Sequence, residues 1–289
     1  MSVVMVEEKL KSYRASSEIE EIQALREITQ EIILASLART DFYEYAAFQG
    51  GTCLRIFYGL NRFSEDMDFT LIRGNPTFAW KPYLEQVIRD VASYGYNMEI
   101  TDRRETDSHV RLAFLKDDTL GKILQLQYAG KTSQLGKIKI KLEIDTNPPG
   151  GGTNELKYVD FPYISPIVVQ TPDTLFAGKI HALLCRNYVK GRDWYDFIWY
   201  TSRRTAVNYQ YLEKALQQSG PLENTDIHVD QNWLYNKLLE RITTIDWKEA
   251  AMDVRRFVPV REQASLDYWN TQVFLQQLEK MRGTSTKEQ

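Results

Sequence analysis

Two aspartates separated by one residue, Asp66 and Asp68 in the stretch FSEDMDF, are the residues of this sequence best suited to chemistry. In a strand, alternate side chains leave the same face, so both carboxylates project together while Met67 and Phe69 turn into the core. Like charges in a small volume repel and raise a pKa. A divalent cation held by oxygen ligands relieves that repulsion, with Mg²⁺ the first expectation and Mn²⁺ the second. Taken alone, the pair is equally well a solvated strand end. Its surroundings add weight to the metal reading: Gly50-Gly51 precede the segment Thr52 to Tyr58, which reads as a short helix cut off by Gly59. Glycines ahead of a helix let backbone N–H groups approach an anion, and the helix N-terminus favours negative charge. Thr52 is placed either to cap that helix or to donate to a phosphate. A P-loop is excluded, because no GxxxxGK[ST] occurs.

A third carboxylate on a neighbouring strand would complete a site for two metals, one activating an attacking hydroxyl and the other bridging triphosphate oxygens. In KIKIKLEIDT, the apolar Ile138, Ile140, Leu142 and Ile144 alternate with Lys137, Lys139, Lys141, Glu143 and Asp145, so one face is core and the other charged. Glu143 and Asp145 compete for the third position, and either is also explained as a solvated residue of a half-exposed strand. Further on, Lys179 and Arg186 lie seven residues apart on one helical face, with Leu175, Phe176, Ile180 and Leu184 free to pack elsewhere. That basic stripe either clamps phosphates electrostatically or is a solvated face. Asp193, Asp196 and Tyr200 share a face too; the two acids either pair with Lys179, Arg186 or Arg192 or take part in catalysis.

Other residues offer less. His181 has no second histidine or cysteine at ligand spacing and reads as packed or capping, and His109 and His228 have no constellation. Trp194, Tyr195, Phe197, Trp199 and Tyr200 read as helical core, with one ring available to stack on a base. Arg62, Arg73, Lys137, Lys139 and Lys141, with Lys190-Arg192, Arg203-Arg204 and Arg255-Arg256, supply cations for an RNA backbone or merely for solvation.

The elements that must position these groups begin with an amphipathic helix from Ser17 to about Leu37. Ser17 and Glu20 suit a capping box there, and Ile19, Ile22, Leu25, Ile28 and Ile32 recur at helical spacing. Tyr45 to Phe48 leads into the Gly-Gly pair, and Asp66 to Ile72 reads as a strand ended by Gly74-Asn75-Pro76. A helix over Tyr83 to Tyr94 closes at Gly95, and strands are expected over Asn97 to Thr101, Ser108 to Phe114 and Ile123 to Tyr128. Pro148-Pro149-Gly150-Gly151-Gly152 is the most linker-like stretch, and from Thr171 onward the pattern is helical, with Thr171 as N-cap and Pro172 at the first helical position. Two domains follow, 1–160 and 161–289, with GTSTKEQ as a frayed tail.

With 289 residues and 43% apolar content the chain can bury a substantial core, and it contains no internal repeats. A net charge of −3 argues against a generally basic nucleic-acid coater while leaving room for a local basic groove. Cys53 and Cys185 show no metal spacing, and no structural disulfide is expected. No window suits a membrane span and the N-terminus lacks a signal h-region, so the expectation is a cytoplasmic protein without membrane contact.

GGT(C)LR, RFSEDMDF, KLEI, AGKIHALLCR and RDWYDF, in this order and separation and followed by DVRRFV, resemble the AbiEii family of nucleotidyltransferase toxins, which includes the MenT toxins. The resemblance spans most of the chain. It implies an α+β fold of the DNA polymerase β nucleotidyltransferase type, a mixed sheet with flanking helices joined to a C-terminal helical domain. Residue by residue, Gly50, Gly51 and Thr52 match the Gly-Gly-Ser/Thr motif, and Asp66 and Asp68 the metal-binding pair. Glu143 fits the third acidic position better than Asp145. Lys179 falls on a triphosphate-contacting lysine, and Asp193 and Asp196 on the acids of RDxxD. Ser64 and Arg186 join the candidate nucleotide contacts. One position departs from the family: the residue before Gly-Gly, often Lys there, is Gln49 here.

The function so implied is metal-dependent transfer of a nucleoside monophosphate from an NTP to an acceptor, tRNA or other RNA, with release of pyrophosphate. The chain would act as the toxin of a bacterial toxin–antitoxin and phage-defence system with a cognate antitoxin protein encoded nearby. Alternatives are a small-molecule or protein acceptor, or a non-catalytic nucleotide- or RNA-binding module.

Overall fold

The computed structural model describes residues 2–104, 110–117 and 138–282. It opens with helix α1 (Ser2–Ser12), which the sequence did not suggest, followed by the long helix α2 (Glu18–Leu37). Ser17 caps α2 by accepting from the Glu20 amide at 3.3 Å. The Glu20 carboxylate reaches one residue beyond a capping box and accepts from the Ser16 amide at 2.7 Å. The expected one-sided apolar stripe is only part of the picture. Ile19 points to solvent, whereas Gln23, Glu27, Gln30 and Glu31 are buried. Partners make that burial tolerable: Lys9 of α1 pairs with Glu31 at 2.9 Å, and Tyr13 donates to Glu27 at 3.0 Å.

After the one-turn helix α3 (Phe42–Tyr45), strand β1 (Ala46–Gln49), helix α4 (Gly50–Tyr58) and strand β2 (Asp66–Leu71) form the strand, glycine, helix, strand sequence that was expected. Helix α5 (Lys81–Ala92) precedes β3 (Glu99–Arg104), β4 (Val110–Asp117) and β5 (Ile138–Asp145). The strand expected over Ile123 to Tyr128 lies outside the described residues. Strands β6 (Asn154–Val159) and β7 (Ser165–Gln170) complete a mixed sheet in the order β3-β4-β5-β2-β1-β7-β6. Strand β2 runs parallel to β5 and antiparallel to β1. Neither β6 nor β7 was legible. At β6, the sheet edge, Leu156 and Tyr158 face solvent, so its apolar alternation marks no core.

The core behind the site is aromatic. Phe69 of β2 packs with ring centroids 5.0 Å from Phe48, 5.1 Å from Phe42 and 5.8 Å from Trp80. Met67 and Phe69 are fully buried, as the alternation required, and this fixes Asp66 and Asp68 on the opposite face.

The chain divides into two compact units, Met1–Pro148 with Glu155–Val169, and Pro149–Asn154 with Gln170 onward. The sheet belongs to the first. The second is helical among the described residues: α6 (Pro172–Cys185), α7 (Gly191–Ser202), α8 (Tyr209–Gln218), α9 (Gln231–Thr243), α10 (Trp247–Arg255), a 3₁₀ segment (Val260–Tyr268) and α11 (Thr271–Arg282). Pro172 starts α6 as expected, but the Thr171 hydroxyl binds the Thr153 carbonyl at 3.2 Å instead of capping the helix. Trp194, Phe197, Trp199 and Tyr200 are core, with Trp194 edge-on to Trp247, which stacks on Phe274 at 3.6 Å.

Candidate active site

Strand register assembles the carboxylates. Asp66 lies opposite Lys141 and Asp68 opposite Glu143 across the parallel β2–β5 pair, so all four side chains leave one face of the sheet. Asp145 shares that face two residues on, opposite Thr70, and its carboxylate accepts from the Asn147 amide at 2.9 Å to start a turn. Of the two competitors for the third position, Glu143 is the one beside Asp68. Its partner is Lys141, with which it forms an ion pair. Burial works against the Lys141 charge, but the bond to Glu143 and the fields of Asp66 and Asp68 outweigh it and raise the Lys141 pKa.

The donor set suits a divalent cation, being three hard carboxylates on adjacent strands with a cation already drawn to them. Among the described residues no three His, Cys, Asp or Glu side chains yet converge as a metal cage. Glu143 is bound to Lys141 instead.

Backbone geometry brings Gly50 against the same face. Its φ is +78°, and a Cβ there would collide with the Asp68 carboxylate, so both conformation and contact require glycine. Gly51 faces the other motif residues: an added Cβ would sit 2.6 Å from the Arg62 guanidinium and 3.0 Å from the Ser64 hydroxyl. Both glycines lie in the first turn of α4, not in a turn ahead of it.

Thr52 departs from expectation. It neither caps α4 nor faces solvent; it is fully buried and its hydroxyl donates to the Asp66 carbonyl. This bond ties α4 to the start of β2, which leaves Thr52 as a positioning residue. Arg62 is likewise buried, donating to the Phe63 carbonyl at 3.0 Å, which removes it from the surface cations. The neutral Gln49 opposite Asp68 turns its amide to the Phe69 carbonyl at 3.1 Å.

Sequence reasoning missed the residues that hold the loop before Asp66. Buried Gln30 of α2 donates to the carbonyls of Ser64 at 3.1 Å and Glu65 at 3.0 Å, and Arg26 pairs with Glu65 at 2.6 Å. Arg55 of α4 bonds the Leu60 carbonyl at 3.1 Å and the Asn61 carbonyl at 2.6 Å, while pairing with Glu27 at 2.8 Å. Nothing in the sequence pattern marks Gln30, whose burial appears only in the fold.

In the helical unit Lys179 is enclosed by acids, 2.7 Å from Asp193 and 2.8 Å from Asp196. Arg186 joins at 3.2 Å from Asp193. Burial pushes the Asp193 pKa up, but Lys179 and Arg186 pull harder and hold it below the ordinary carboxylate value. The pairing role foreseen for both acids is therefore present. His181 meets the Ser219 carbonyl at 3.3 Å and is held neutral-leaning by burial, a packed residue. Both cysteines are free. Other proposed cations are engaged: Arg203 lies over Trp199, Arg256 over Phe257, and Arg255 pairs with Asp267. Lys137 and His109 fall outside the described residues. No described helix is long and apolar enough to cross a membrane.

Residues 32–276 match the model of the family described as nucleotidyl transferase AbiEii toxin, type IV TA system. Among solved structures, JHP933 from Helicobacter pylori is similar at 18% identity, with 92% of each chain covered and a TM-score of 0.51. MenT4, a nucleotidyltransferase toxin from Mycobacterium tuberculosis H37Rv, is similar at 17% identity over 95% of this chain and 99% of that one, also at 0.51. No curated protein matches the sequence. At these identities the two structures speak to the fold alone.

Proposed function

Since the chain belongs to the AbiEii family, nucleotidyl transferase toxins of type IV toxin–antitoxin systems, we propose that its carboxylate face transfers a nucleoside monophosphate from an NTP to an RNA acceptor with the help of a divalent cation. The chain is thus a nucleotidyltransferase, and an NTP is its substrate. The observation that carries the finer reading is the register that sets Asp68 beside Glu143, with Asp66 on the same face.

Asp66, Asp68 and Glu143 would hold the ion, Mg²⁺ in the first instance. Bound there, it would activate the attacking oxygen and neutralise charge on the triphosphate. The remaining work falls to the protein. Gly50 and Gly51 let the first turn of α4 pack directly against Asp68, Arg62 and Ser64, and its backbone N–H groups and helix dipole would favour the phosphates. Arg62 and the Ser64 hydroxyl come up beside Gly51, adding a buried positive charge and a donor. Arg62 thereby replaces the charge that Gln49 does not supply. Lys179 is proposed to contact the triphosphate, with Asp193 and Asp196 holding its ammonium in place and Arg186 pairing in turn with Asp193. Attack of an acceptor hydroxyl on the α-phosphorus forms one P–O bond, breaks the bond to the β-phosphate oxygen and releases pyrophosphate; the hydroxyl proton is lost to a carboxylate or solvent.

We extend the same reading to biology: the acceptor is tRNA or another RNA, the toxin serves phage defence, and an antitoxin protein encoded nearby counters it. Incubation with each α-³²P-labelled NTP, Mg²⁺ and total bacterial RNA should give a labelled, ribonuclease-sensitive band that disappears in EDTA. A ribonuclease-resistant product would move the acceptor to a protein or small molecule, and transfer that persists in EDTA would remove the metal.

A further inference from the structure

The helical unit contains a cavity that the proposed site does not use. Its volume is about 310 Å³, at the lower end of the range for small-molecule sites, and it lies among α6, α8, the loop after α8, and α9. Leu184 of α6, Leu216 of α8, Leu222 of the loop and Trp233 of α9 give it apolar walls. Cys185, the last residue of α6, lines it as well. The loop is drawn in close at this point. Gly220 has φ +96°, and a Cβ there would lie 2.7 Å from the Cys185 sulfur, so both conformation and contact call for glycine.

The charged residues that line the cavity, Lys237, Glu240 and Arg241, all belong to α9. Lys237 and Glu240 pair with each other at 2.9 Å and cancel. Arg241 is left over. Among the described residues it is paired with no carboxylate; it donates to the Arg186 carbonyl at 2.9 Å, and its Nε is buried without a partner. One uncompensated guanidinium therefore stands beside an apolar space. Such walls favour a hydrocarbon or aromatic body, and the planar fork of an arginine favours a carboxylate. A phosphate suits the cavity less well, because its second charge would find Lys237 already spent on Glu240.

We infer that this cavity binds a small apolar carboxylate, with its body between the leucines and Trp233 and its head on Arg241. The inference is independent of the nucleotidyltransferase reading, since no residue that lines the cavity belongs to the carboxylate face or to the Lys179 cluster.

Cys185 supplies the reporter for a test. Both cysteines are free, but Cys53 is fully buried whereas Cys185 is half-buried. Labelling of the full chain with N-ethylmaleimide, followed by peptide mass spectrometry, therefore reads the occupancy of the cavity. The probes are octanoate and its uncharged counterpart, 1-octanol. Octanoate should slow the labelling of Cys185, with half-protection at a concentration roughly tenfold lower than octanol needs, the size of one contact to a charged group. Arg241→Gln should abolish that difference while octanol protects as before, and Arg241→Lys should keep part of it. Lys237→Glu, which turns the rim acidic at a half-exposed position, should weaken octanoate several-fold without affecting octanol, and it decides the matter if Arg241→Gln does not fold. The inference is overturned if octanoate leaves the labelling rate unchanged, if octanol protects equally well, if folded Arg241→Gln keeps the preference, or if Lys237→Glu leaves octanoate protection as it was.

Discussion

Thr52 illustrates how a residue of the right type in the right motif can serve the frame of a site instead of its ligand. Its hydroxyl is buried against the Asp66 carbonyl, so Thr52→Val should cost about 1–2 kcal/mol of stability through an unsatisfied acceptor, measured by urea denaturation, while Thr52→Ser should cost less. Unchanged stability with a raised KM for NTP would return Thr52 to the phosphate. At this scale the acids were the legible part, because strand alternation alone puts Asp66, Asp68, Glu143 and Asp145 on exposed faces. The choice between Glu143 and Asp145 was not legible from spacing. It depends on the register of two strands far apart in sequence, which sets Glu143 beside Asp68 and gives Asp145 a turn to start. Nor could spacing show that Lys141 would take hold of Glu143.

Between elements, buried charge does most of the positioning. Lys179 of α6 is sandwiched between two buried carboxylates of α7, so Lys179→Met would remove the ammonium they share and should destabilise the chain by about 3–5 kcal/mol in a thermal or urea melt. A variant that loses transfer with its melting temperature unchanged would show that Lys179 acts on the substrate and adds nothing to the fold. The α1–α2 seam supplies a pH dependence. Burial pushes Glu31 up to about 7 against the opposing pull of Lys9. Because the folded pKa exceeds the unfolded value near 4.5, the folded state binds the extra proton, and this group's contribution falls as pH rises from about 4.5 to about 7. Glu31→Gln should therefore gain on wild type across that window, by on the order of 3 kcal/mol above it, and match it more closely in acid. An equal difference at all pH values in a urea series would refute the assignment. Helical periodicity found α2 but not its buried Gln30, Glu27 and Glu31, since a polar residue at a polar helical position reads as solvated until α1 and the loop before β2 are seen to cover it. Strand β6 escaped for the converse reason: at the sheet edge the outward Leu156 and Tyr158 blur the alternation that would reveal a strand.

For the molecule as a whole, a mixed α+β sheet followed by helices was legible from KIKIKLEIDT, from the glycine-bracketed helix, and from the order of motifs that resembles the AbiEii family. The match over residues 32–276 bears out that resemblance. We propose that a single sheet face does the chemistry, with Asp66, Asp68 and Glu143 essential and Asp145 incidental. The most direct measurement is the rate of label transfer from α-³²P-NTP to RNA in Asp66→Asn, Asp68→Asn, Glu143→Gln and Asp145→Asn, each checked for an unchanged melting temperature. The expected result is a loss of roughly 10³-fold or more in the first three, equivalent to several kcal/mol of transition-state stabilisation, and near wild-type rates in Asp145→Asn. Folded Asp66→Asn or Glu143→Gln protein that transfers at the wild-type rate would contradict it.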